Sequence, residues 1–241
     1  MNSGVTVLGA GSWGTTVAHL AASNVPTILW ARDPQVVEDI NRDHVNRRYL
    51  DGYDLNPELR ATADLAEAVA SADVLVMGVP SKAFRQTLEA AQPYVRAWVP
   101  VVSLAKGFEA SSHKRMTEVI ADVLPGHPAG VLTGPNLAKE ILAGSAAAAV
   151  IAMSDPFIAE RLQEIFSQDL FRVYTNPDVI GAEVAGALKN VIALAAGMAD
   201  GLGTGDNTRA AVITRGLNEL TRLGVAMGGN PETFAGLAGM G

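Results

Sequence analysis

The chain has 241 residues, 49% of them hydrophobic and 18% charged, which is the composition of a globular protein with one large domain or slightly more. Its formal net charge of −7 argues against a nucleic-acid partner, because an acidic chain repels phosphate backbones at long range. The sequence has no cysteine, which excludes disulfides, thiolate catalysis and cysteine-bound metal. Its scattered histidines have no metal-ligand spacing, so no metal site is predicted.

Short runs rich in β-branched residues alternate with amphipathic segments over the first two thirds of the chain. The predicted strands are Val5–Leu8, Thr27–Trp30, Val74–Val79, Val99–Leu104, Gly130–Leu132, Ala147–Ala152 and Phe171–Tyr174. The predicted helices in this part are Gly14–Ser23, Pro34–Arg42, Asp64–Ala70, Ser81–Ala91, His113–Leu124 and Pro156–Ser167. Several strands are apolar throughout, as expected when helices cover both faces of a sheet. The pattern predicts an α/β fold with a Rossmann-like, doubly wound and mostly parallel sheet.

The pattern changes after Asn176-Pro177, where only helical periodicity continues. Two helices are predicted there, Val179–Asp200 and Thr208–Leu223. We therefore place a domain boundary at residue 177. Residues 1–177 are expected to form the sheet domain and residues 178–241 the beginning of an all-helical domain, because 64 residues by this division are few for an independent core.

Neither a signal peptide nor a membrane-spanning segment is predicted from the sequence. Strand-like sequence begins at Val5, which leaves no room for a signal peptide. The apolar stretch Val184–Ala199 contains Lys189, Asn190 and two glycines, so we expect a buried helix and no run long and clean enough to cross a bilayer. These features predict a cytoplasmic protein without membrane insertion.

The segment Gly9-Ala10-Gly11-Ser12-Trp13-Gly14 fits the pattern G-x-G-x-x-G. It follows a predicted strand and opens a predicted helix, which is the setting of a dinucleotide-binding loop. In such a loop Gly9 makes the tight turn, Gly11 lets the pyrophosphate approach the backbone, and Gly14 lets the helix pack on the strand. The N–H groups at the start of the helix bind the phosphates. The loop predicts NAD or NADP as cofactor.

The end of the second predicted strand leaves the choice between NAD and NADP open. The sequence there reads Trp30-Ala31-Arg32-Asp33. Arg32 can pair with the 2′-phosphate of NADP, whereas Asp33 can accept a hydrogen bond from the ribose 2′-hydroxyl of NAD. A nearby pair of arginines, Arg47-Arg48, is interpreted as a solvated turn.

Polar residues follow two further strands at the edge where a doubly wound sheet binds its ligands. Lys106 stands on a glycine-flanked turn after the strand that ends at Leu104, and Gly134 and Asn136 follow Leu132. Asn136 can donate and accept hydrogen bonds, and Gly134 allows a ligand to approach the backbone. We expect these residues to lie at the ligand-binding edge of the sheet.

Lys189 lies inside an almost uncharged helical segment. Burial of an ammonium group is costly unless the group is paired or neutralised, and it lowers a lysine pKa toward the range useful for acid–base catalysis. Lys189 is therefore the leading catalytic candidate, with Asn190 beside it as a hydrogen-bonding partner. Glu183 is six residues back, which is too far round the helix for an i,i+4 pair.

Five further motifs occur in register with the glycine loop: Ala105-Lys106-Gly107, Gly134-Pro135-Asn136, Leu188-Lys189-Asn190-Val191-Ile192-Ala193, Asp200-Gly201-Leu202-Gly203 and Ile213-Thr214-Arg215-Gly216. Together they resemble the bacterial NAD(P)-dependent glycerol-3-phosphate dehydrogenase family over the whole chain. The resemblance implies an oxidoreductase that transfers hydride between NAD(P)H and C2 of dihydroxyacetone phosphate. It also implies that the product, sn-glycerol 3-phosphate, supplies phospholipid synthesis.

The resemblance also implies roles for individual residues. Lys106 corresponds to a lysine shared between cofactor and substrate, and Lys189 to the proton donor and acceptor, with Asn190 next to it. Gly134 and Asn136 correspond to substrate contacts, although many bacterial members have Ser or Thr where this chain has Asn136. Contacts to the cofactor are implied for Ser12, Trp13, Arg32, Tyr49 and Ala138.

The resemblance gives two further expectations, one for the substrate-phosphate site and one for the oligomeric state. In the family, the equivalent of Met240-Gly241 is followed by an aspartate and by a Ser-Arg-Asn segment that binds the substrate phosphate, so the substrate site is expected to be incomplete in residues 1–241. Helical C-terminal domains of this kind often pair, which gives the expectation of a homodimer.

Two other functions remain as alternatives. A β-hydroxyacid dehydrogenase has a similar design, but its lysine usually has an asparagine one helical turn later, whereas Lys189 and Asn190 are adjacent here. The second alternative is a dinucleotide-binding protein without turnover. A turnover assay with dihydroxyacetone phosphate beside a cofactor titration separates the three.

Overall fold

The computed structural model describes residues 4–241, and its centre is one eight-stranded sheet. The strands lie in the order β3-β2-β1-β4-β5-β6-β7-β8. The neighbouring pairs are parallel except β6 and β7. Their bounds are β1 (Val5–Leu8), β2 (Thr27–Trp30), β3 (Arg60–Thr62), β4 (Val74–Met77), β5 (Val101–Ser103), β6 (Ala129–Thr133), β7 (Ala147–Met153) and β8 (Phe171–Asn176).

Helices connect most of the strands and follow the last one. They are α1 (Ser12–Ala22), α2 (Pro34–Asp43), α3 (Arg47–Leu50), α4 (Leu65–Ala70), α5 (Ser81–Ala91), α6 (Met116–Val123), α7 (Ala138–Leu142), α8 (Pro156–Phe166), α9 (Val179–Gly201), α10 (Asp206–Ala226) and α11 (Pro231–Ala235). Side chains of Asp33, Asp64 and Asp155 accept hydrogen bonds from first-turn N–H groups of α2, α4 and α8, which explains where these helices begin.

The core lies on both faces of the sheet, because successive side chains of a strand point to opposite sides. On β1, Val5 and Val7 are buried against α1 and α8, whereas Leu8 belongs to a second cluster with α5 and α6. All four residues of β1 and of β4 are buried. The predicted doubly wound, mostly parallel sheet is thus confirmed.

The strand β7 runs antiparallel to β6, with Gly130 opposite Met153. Parallel strands are usually joined through a crossover α-helix, whereas the 13 residues 134–146 that connect β6 and β7 hold only the five-residue α7. The chain turns back here, and β7 pairs in the opposite direction. The next connection contains the 11-residue α8, and β8 is parallel to β7.

Several short elements differ from the prediction. The strand β3 and the helices α3, α7 and α11 have three to five residues each, too few to show a period. Helix α6 begins at Met116 rather than near His113. His113 has a φ of +58°, in the left-handed region, so the helix cannot include it.

Helix α9 is buried mainly in its first part, where residues 181–186 pack against the sheet and a third cluster with α10 and α11. Farther along, Val191, Leu194 and Met198 are exposed. The expectation of a buried helix over Val184–Ala199 was therefore wrong for its second half, because within residues 4–241 this half packs mainly against α10.

The expectation that no run is long enough to span a membrane was also wrong. Helix α9 (Val179–Gly201) has a mean hydropathy of 1.6 over an 18-residue window, and 39% of that window is buried. By length and composition alone, this helix is long and apolar enough to cross a membrane. The core helix of a soluble protein passes the same test.

Candidate active site

A cavity of about 950 Å³ opens at the carboxyl ends of β1, β2, β4 and β5. The strand order reverses between β1 and β4, and open α/β sheets bind ligands at this point. The volume is within the range of cofactor and ligand sites. The cavity is lined by residues Gly9–Gly14 of the glycine loop, Trp30–Pro34, Val36, Arg48, Tyr49, Gly78–Pro80, Leu104–Lys106 and Asn136.

The three glycines of the loop are required for different reasons. Gly9 has a φ of +118°, and a Cβ atom there would lie 2.8 Å from the Gly78 carbonyl oxygen. A Cβ atom on Gly14 would lie 2.1 Å from the Gly9 oxygen. Gly11 has an ordinary extended conformation, with φ −71° and ψ 174°, and a Cβ atom there would meet nothing within 4 Å. The fold thus requires Gly9 and Gly14, whereas Gly11 leaves space for a ligand.

The donors at the bottom of the cavity fit the phosphates and amide of a dinucleotide. Helix α1 has Gly11 as its N-cap and no side-chain cap, so its first N–H groups are available to an anion. Trp13 and Asn136 line the cavity, and the buried atoms Trp13 Nε1 and Asn136 Nδ2 have no hydrogen-bond partner among residues 4–241. Buried donors are normally paired, so these two indicate where a bound group would accept.

The rim at β2 carries Arg32, Asp33, Arg48 and Tyr49. Arg48 Nη1 lies 2.6 Å from Asp33 Oδ2, and the Arg48 guanidinium lies 5.4 Å from the centre of the Tyr49 ring. Arg32 is exposed. The rim therefore presents two guanidinium groups and one carboxylate to the end of the cavity nearest β2.

Helix α3, which carries Arg48 and Tyr49, is fixed to the glycine loop by the buried side chain of Asn46. Asn46 Nδ2 donates to the Ala10 carbonyl oxygen at 3.0 Å and to Thr15 Oγ1 at 2.9 Å, and Asn46 Oδ1 accepts from the Tyr49 N–H at 3.3 Å. The rim and the loop are thus one hydrogen-bonded unit.

The opposite end of the cavity is formed by the turns after β5 and β6. Lys106 Nζ donates to Asn136 Oδ1 at 2.8 Å and to the Gly134 carbonyl oxygen at 3.3 Å. Partial burial lowers the pKa of Lys106. Gly134 has a φ of +148°, and a Cβ atom on it would lie 3.0 Å from backbone atoms of β7, so Gly134 is required by the packing of β7.

Lys189 lies on α9, half-buried, and its Nζ donates to the main-chain oxygen of Gly241 at 2.8 Å. Burial, and in second place the positive charge of Lys106, lower the pKa of Lys189 to about 8. The two ammonium groups are thus close enough to repel each other. An oxyanion or phosphate bound between them would be attracted to both.

Comparison with known proteins identifies the family of the chain. A family model described as the N-terminus of NAD-dependent glycerol-3-phosphate dehydrogenase matches residues 4–159, and a model of the C-terminus of the same enzyme matches residues 178–241. The chain belongs to the NAD-dependent glycerol-3-phosphate dehydrogenase family.

Individual relatives agree with this. The glycerol-3-phosphate dehydrogenase [NAD(P)+] 2 of Sphingopyxis alaskensis is 65% identical over 237 residues, which cover 98% of this chain and 71% of the relative. The glycerol-3-phosphate dehydrogenase [NAD(P)+] of Mycobacterium avium is 57% identical, with 98% and 70% covered. The crystal structure of the Coxiella burnetii glycerol-3-phosphate dehydrogenase superposes with a TM-score of 0.93 at 37% identity, covering 100% of this chain and 74% of that one.

The predictions of an NAD(P)-dependent oxidoreductase and of glycerol-3-phosphate dehydrogenase as its family are confirmed, and the β-hydroxyacid dehydrogenase alternative was wrong. The chain spans about 70% of the length of the curated relatives described here.

The dehydrogenase fold brings most of the predicted site residues to the cavity wall. These are Gly9, Gly11, Ser12, Trp13, Gly14, Arg32, Tyr49, Lys106 and Asn136. Gly134 contacts Lys106 without lining the cavity, and Ala138 begins α7. Asn190 is exposed on α9 beside Lys189 and does not line the cavity either. Arg48 and Asn46 were not predicted as site residues, because their positions follow from contacts distant in sequence.

Glu183 is a further residue of the dehydrogenase whose partner the sequence did not reveal. It lies on α9, six residues before Lys189, and its side chain is only 1% exposed. Glu183 accepts hydrogen bonds from the Thr117 N–H at 2.9 Å, the Thr117 hydroxyl at 2.6 Å and Arg115 Nη1 at 3.1 Å. Burial raises the pKa of Glu183, while Thr117 and Arg115 act in the opposite direction. These contacts attach α9 to the start of α6.

Arg32 is expected to affect the two cofactors of the dehydrogenase unequally. Only NADPH offers a 2′-phosphate to its guanidinium, and a charge-assisted hydrogen bond of this kind contributes roughly 1.5–3 kcal/mol. Replacement by alanine, Arg32→Ala, should therefore weaken NADPH binding and leave NADH binding nearly unchanged. Fluorescence titration of both cofactors measures this, and equal losses for both would exclude the role.

Proposed function

We propose that Lys189 is the proton donor in the reduction of dihydroxyacetone phosphate to sn-glycerol 3-phosphate. The observation that carries the proposal is a half-buried Lys189 whose pKa is lowered to about 8 beside Lys106. A general acid is most effective when its pKa is near the working pH, because it is then both substantially protonated and able to release its proton.

The cofactor, when bound, supplies the hydride to C2 of the ketone. Negative charge then grows on the C2 oxygen, and the ammonium group of Lys189 stabilises that charge and delivers the proton to it. Lys106, held by Asn136 and Gly134, contributes a second positive charge that orients the anionic substrate and cofactor. We assign substrate contacts to Gly134, Asn136 and Asn190 as well.

The cofactor contacts are proposed at the cavity wall. The phosphates are assigned to the uncapped start of α1 with Gly9, Gly11, Ser12, Trp13 and Gly14. The 2′ position of the adenosine ribose is assigned to Arg32 and Tyr49 at the rim. Ala138 is assigned to the cofactor on the resemblance alone.

The domain division and the cellular location are proposed from the bounds and packing of the helices and strands. We propose that the NAD(P)-binding domain comprises residues 1–177 and that a helical substrate domain begins at residue 178, since β8 ends at Asn176 and α9 begins at Val179. We propose a cytoplasmic location without membrane insertion, because α9 carries Glu183 and Lys189 and packs against β6 and α10. The homodimer stays a prediction from the resemblance.

The pH dependence of both reaction directions, measured in an enzyme that includes the phosphate-binding Ser-Arg-Asn segment, tests the role of Lys189. Reduction needs the protonated lysine, so kcat/KM for dihydroxyacetone phosphate should fall as the pH rises through about 8. Oxidation of glycerol 3-phosphate needs the neutral lysine, so its kcat/KM should rise over the same interval. Parallel pH profiles in the two directions would contradict a single acid–base group.

A substitution of Lys106 decides which lysine titrates. The charge of Lys106 lowers the pKa of Lys189. The variant Lys106→Met should therefore be less active but should still show the fall of kcat/KM with rising pH, which we call the alkaline limb of the profile. This limb should move to higher pH. Disappearance of the limb in Lys106→Met would assign proton transfer to Lys106 instead. Stopped-flow or steady-state assays at matched ionic strength are sufficient, because only the position of the limb is compared.

A further inference from the structure

The cavity rim contains a cation to which neither the sequence patterns nor the resemblance assigns a role. This residue, Arg48, lines the cavity next to Arg32, Asp33 and Tyr49. We propose that Arg48 determines cofactor selectivity: with Arg32 it binds the 2′-phosphate of NADPH, and by pairing with Asp33 it neutralises the carboxylate that would otherwise repel that phosphate. The proposal rests on the placement of the cofactor in this cavity.

The position of Arg48 is fixed by the fold. It lies on α3, and Asn46 ties this helix to Ala10 and Thr15 of the glycine loop and first helix. The Ser12 hydroxyl also donates to the Tyr49 carbonyl oxygen at 3.3 Å. The backbone of α3 at Arg48 is therefore held in a fixed position relative to the glycine loop, to which we assign the pyrophosphate. The neighbouring Leu50, at the end of α3, is fully buried.

Both carboxylate oxygens of Asp33 already have partners. Asp33 Oδ1 accepts from the Gln35 N–H at 3.0 Å and caps α2, and Asp33 Oδ2 pairs with Arg48 Nη1 at 2.6 Å. A carboxylate at this place usually accepts the ribose 2′-hydroxyl of NAD and repels a 2′-phosphate. With Arg48 in place, the charge of Asp33 is compensated, and the remaining N–H groups of Arg48 are available to a phosphate.

The removal of Arg48 should therefore act on the two cofactors in opposite directions. Asp33 would be uncompensated, so its charge would repel the 2′-phosphate of NADPH. The same carboxylate oxygen would become free to accept the 2′-hydroxyl of NADH. The side chains of Arg48 and Asp33 are 59% and 39% exposed, so their ion pair contributes little to folding and the variant should stay folded.

The test compares dissociation constants of the 241-residue chain for NADPH and NADH by fluorescence titration. In Arg48→Ala, the constant for NADPH should rise about tenfold or more, as expected for one lost charge-assisted contact. The constant for NADH should stay unchanged or fall. An equal change for both cofactors, or no change for NADPH, would overturn the proposal.

The chain offers a matched control in the preceding residue. Arg47 pairs with Asp39 and Asp43, each at 2.9 Å, and does not line the cavity. The variant Arg47→Ala removes the same charge from the same helix and should leave the ratio of the two dissociation constants unchanged. A shift of this ratio as large as in Arg48→Ala would show that the overall charge of α3 matters rather than a contact of Arg48, which contradicts the proposal.

A second substitution tests the role of Asp33 directly. Asparagine is as good an N-cap as aspartate, so Asp33→Asn removes the charge and preserves the start of α2. In the background of Arg48→Ala it should recover part of the NADPH affinity, because the repulsion is gone. No recovery would refute the charge compensation. If instead Gly11→Val left nucleotide binding unchanged, the placement of the cofactor itself would fail, which is a separate result.

Discussion

Replacement of Lys189 by alanine is expected to lower kcat by about a hundredfold or more, the usual range for loss of a positioned general acid. The C2 oxygen would lose its proton donor and one of the positive charges that stabilise it while it becomes anionic. Cofactor affinity should be nearly intact, since Lys189 does not line the cavity. Steady-state kinetics of dihydroxyacetone phosphate reduction, in an enzyme that includes the phosphate-binding Ser-Arg-Asn segment, and a parallel NADPH titration measure both quantities.

Two further variants separate proton transfer from charge. Lys189→Arg keeps a positive charge but holds its proton at any working pH, so it should stay strongly impaired and lose the alkaline limb of the pH profile. Lys114→Ala is the control, because Lys114 pairs with Asp122 on the surface. Near-normal kcat in Lys189→Ala would transfer the acid–base role to another residue, Lys106 first.

The variant Gly11→Val is expected to abolish NAD(P)H binding while the protein stays folded. The backbone at Gly11 has φ −71° and ψ 174°, which valine tolerates, and the new Cβ would meet no protein atom within 4 Å. The branched side chain would instead occupy the space that a pyrophosphate needs at the start of α1. Titration of NADPH fluorescence and thermal unfolding followed by circular dichroism test the two parts.

A neighbouring glycine provides the contrast. In Gly14→Ala the added Cβ would lie 2.1 Å from the Gly9 oxygen, so this variant should lower the unfolding temperature markedly. Gly11→Ala should give an intermediate loss of affinity at unchanged stability. Unchanged nucleotide affinity in a folded Gly11→Val protein would contradict the placement of the cofactor.

The central strands and the glycine loop could be predicted because their signals are local. Val5–Leu8 and Thr27–Trp30 are apolar runs bounded by turn residues, and the structure has them with the predicted bounds. The loop between β1 and α1 could be recognised from its glycine spacing together with the strand before it and the helix after it. A strand, a tight turn and a helix that follow each other directly leave little for distant contacts to decide.

The other features of the fold and of the site depend on contacts between residues distant in sequence. Glu183 and Arg115 are separated by 68 positions, and Asn46 and Ala10 by 36, so no spacing rule could pair them. Arg48 was interpreted as part of a solvated turn, since a four-residue helix has no readable period. The direction of β7, antiparallel to β6, could not be predicted from the residues of the strand.

The N-cap role of Asp33 restricts how this protein can change its cofactor preference. Position 33 must keep a side chain that caps α2, because alanine there would cost about 1 kcal/mol of stability. Position 48 has no such structural role, because its side chain is largely exposed and caps no helix. A designer who wants to alter the preference at constant stability therefore has more freedom at position 48 than at the position where cofactor choice is usually read from a sequence.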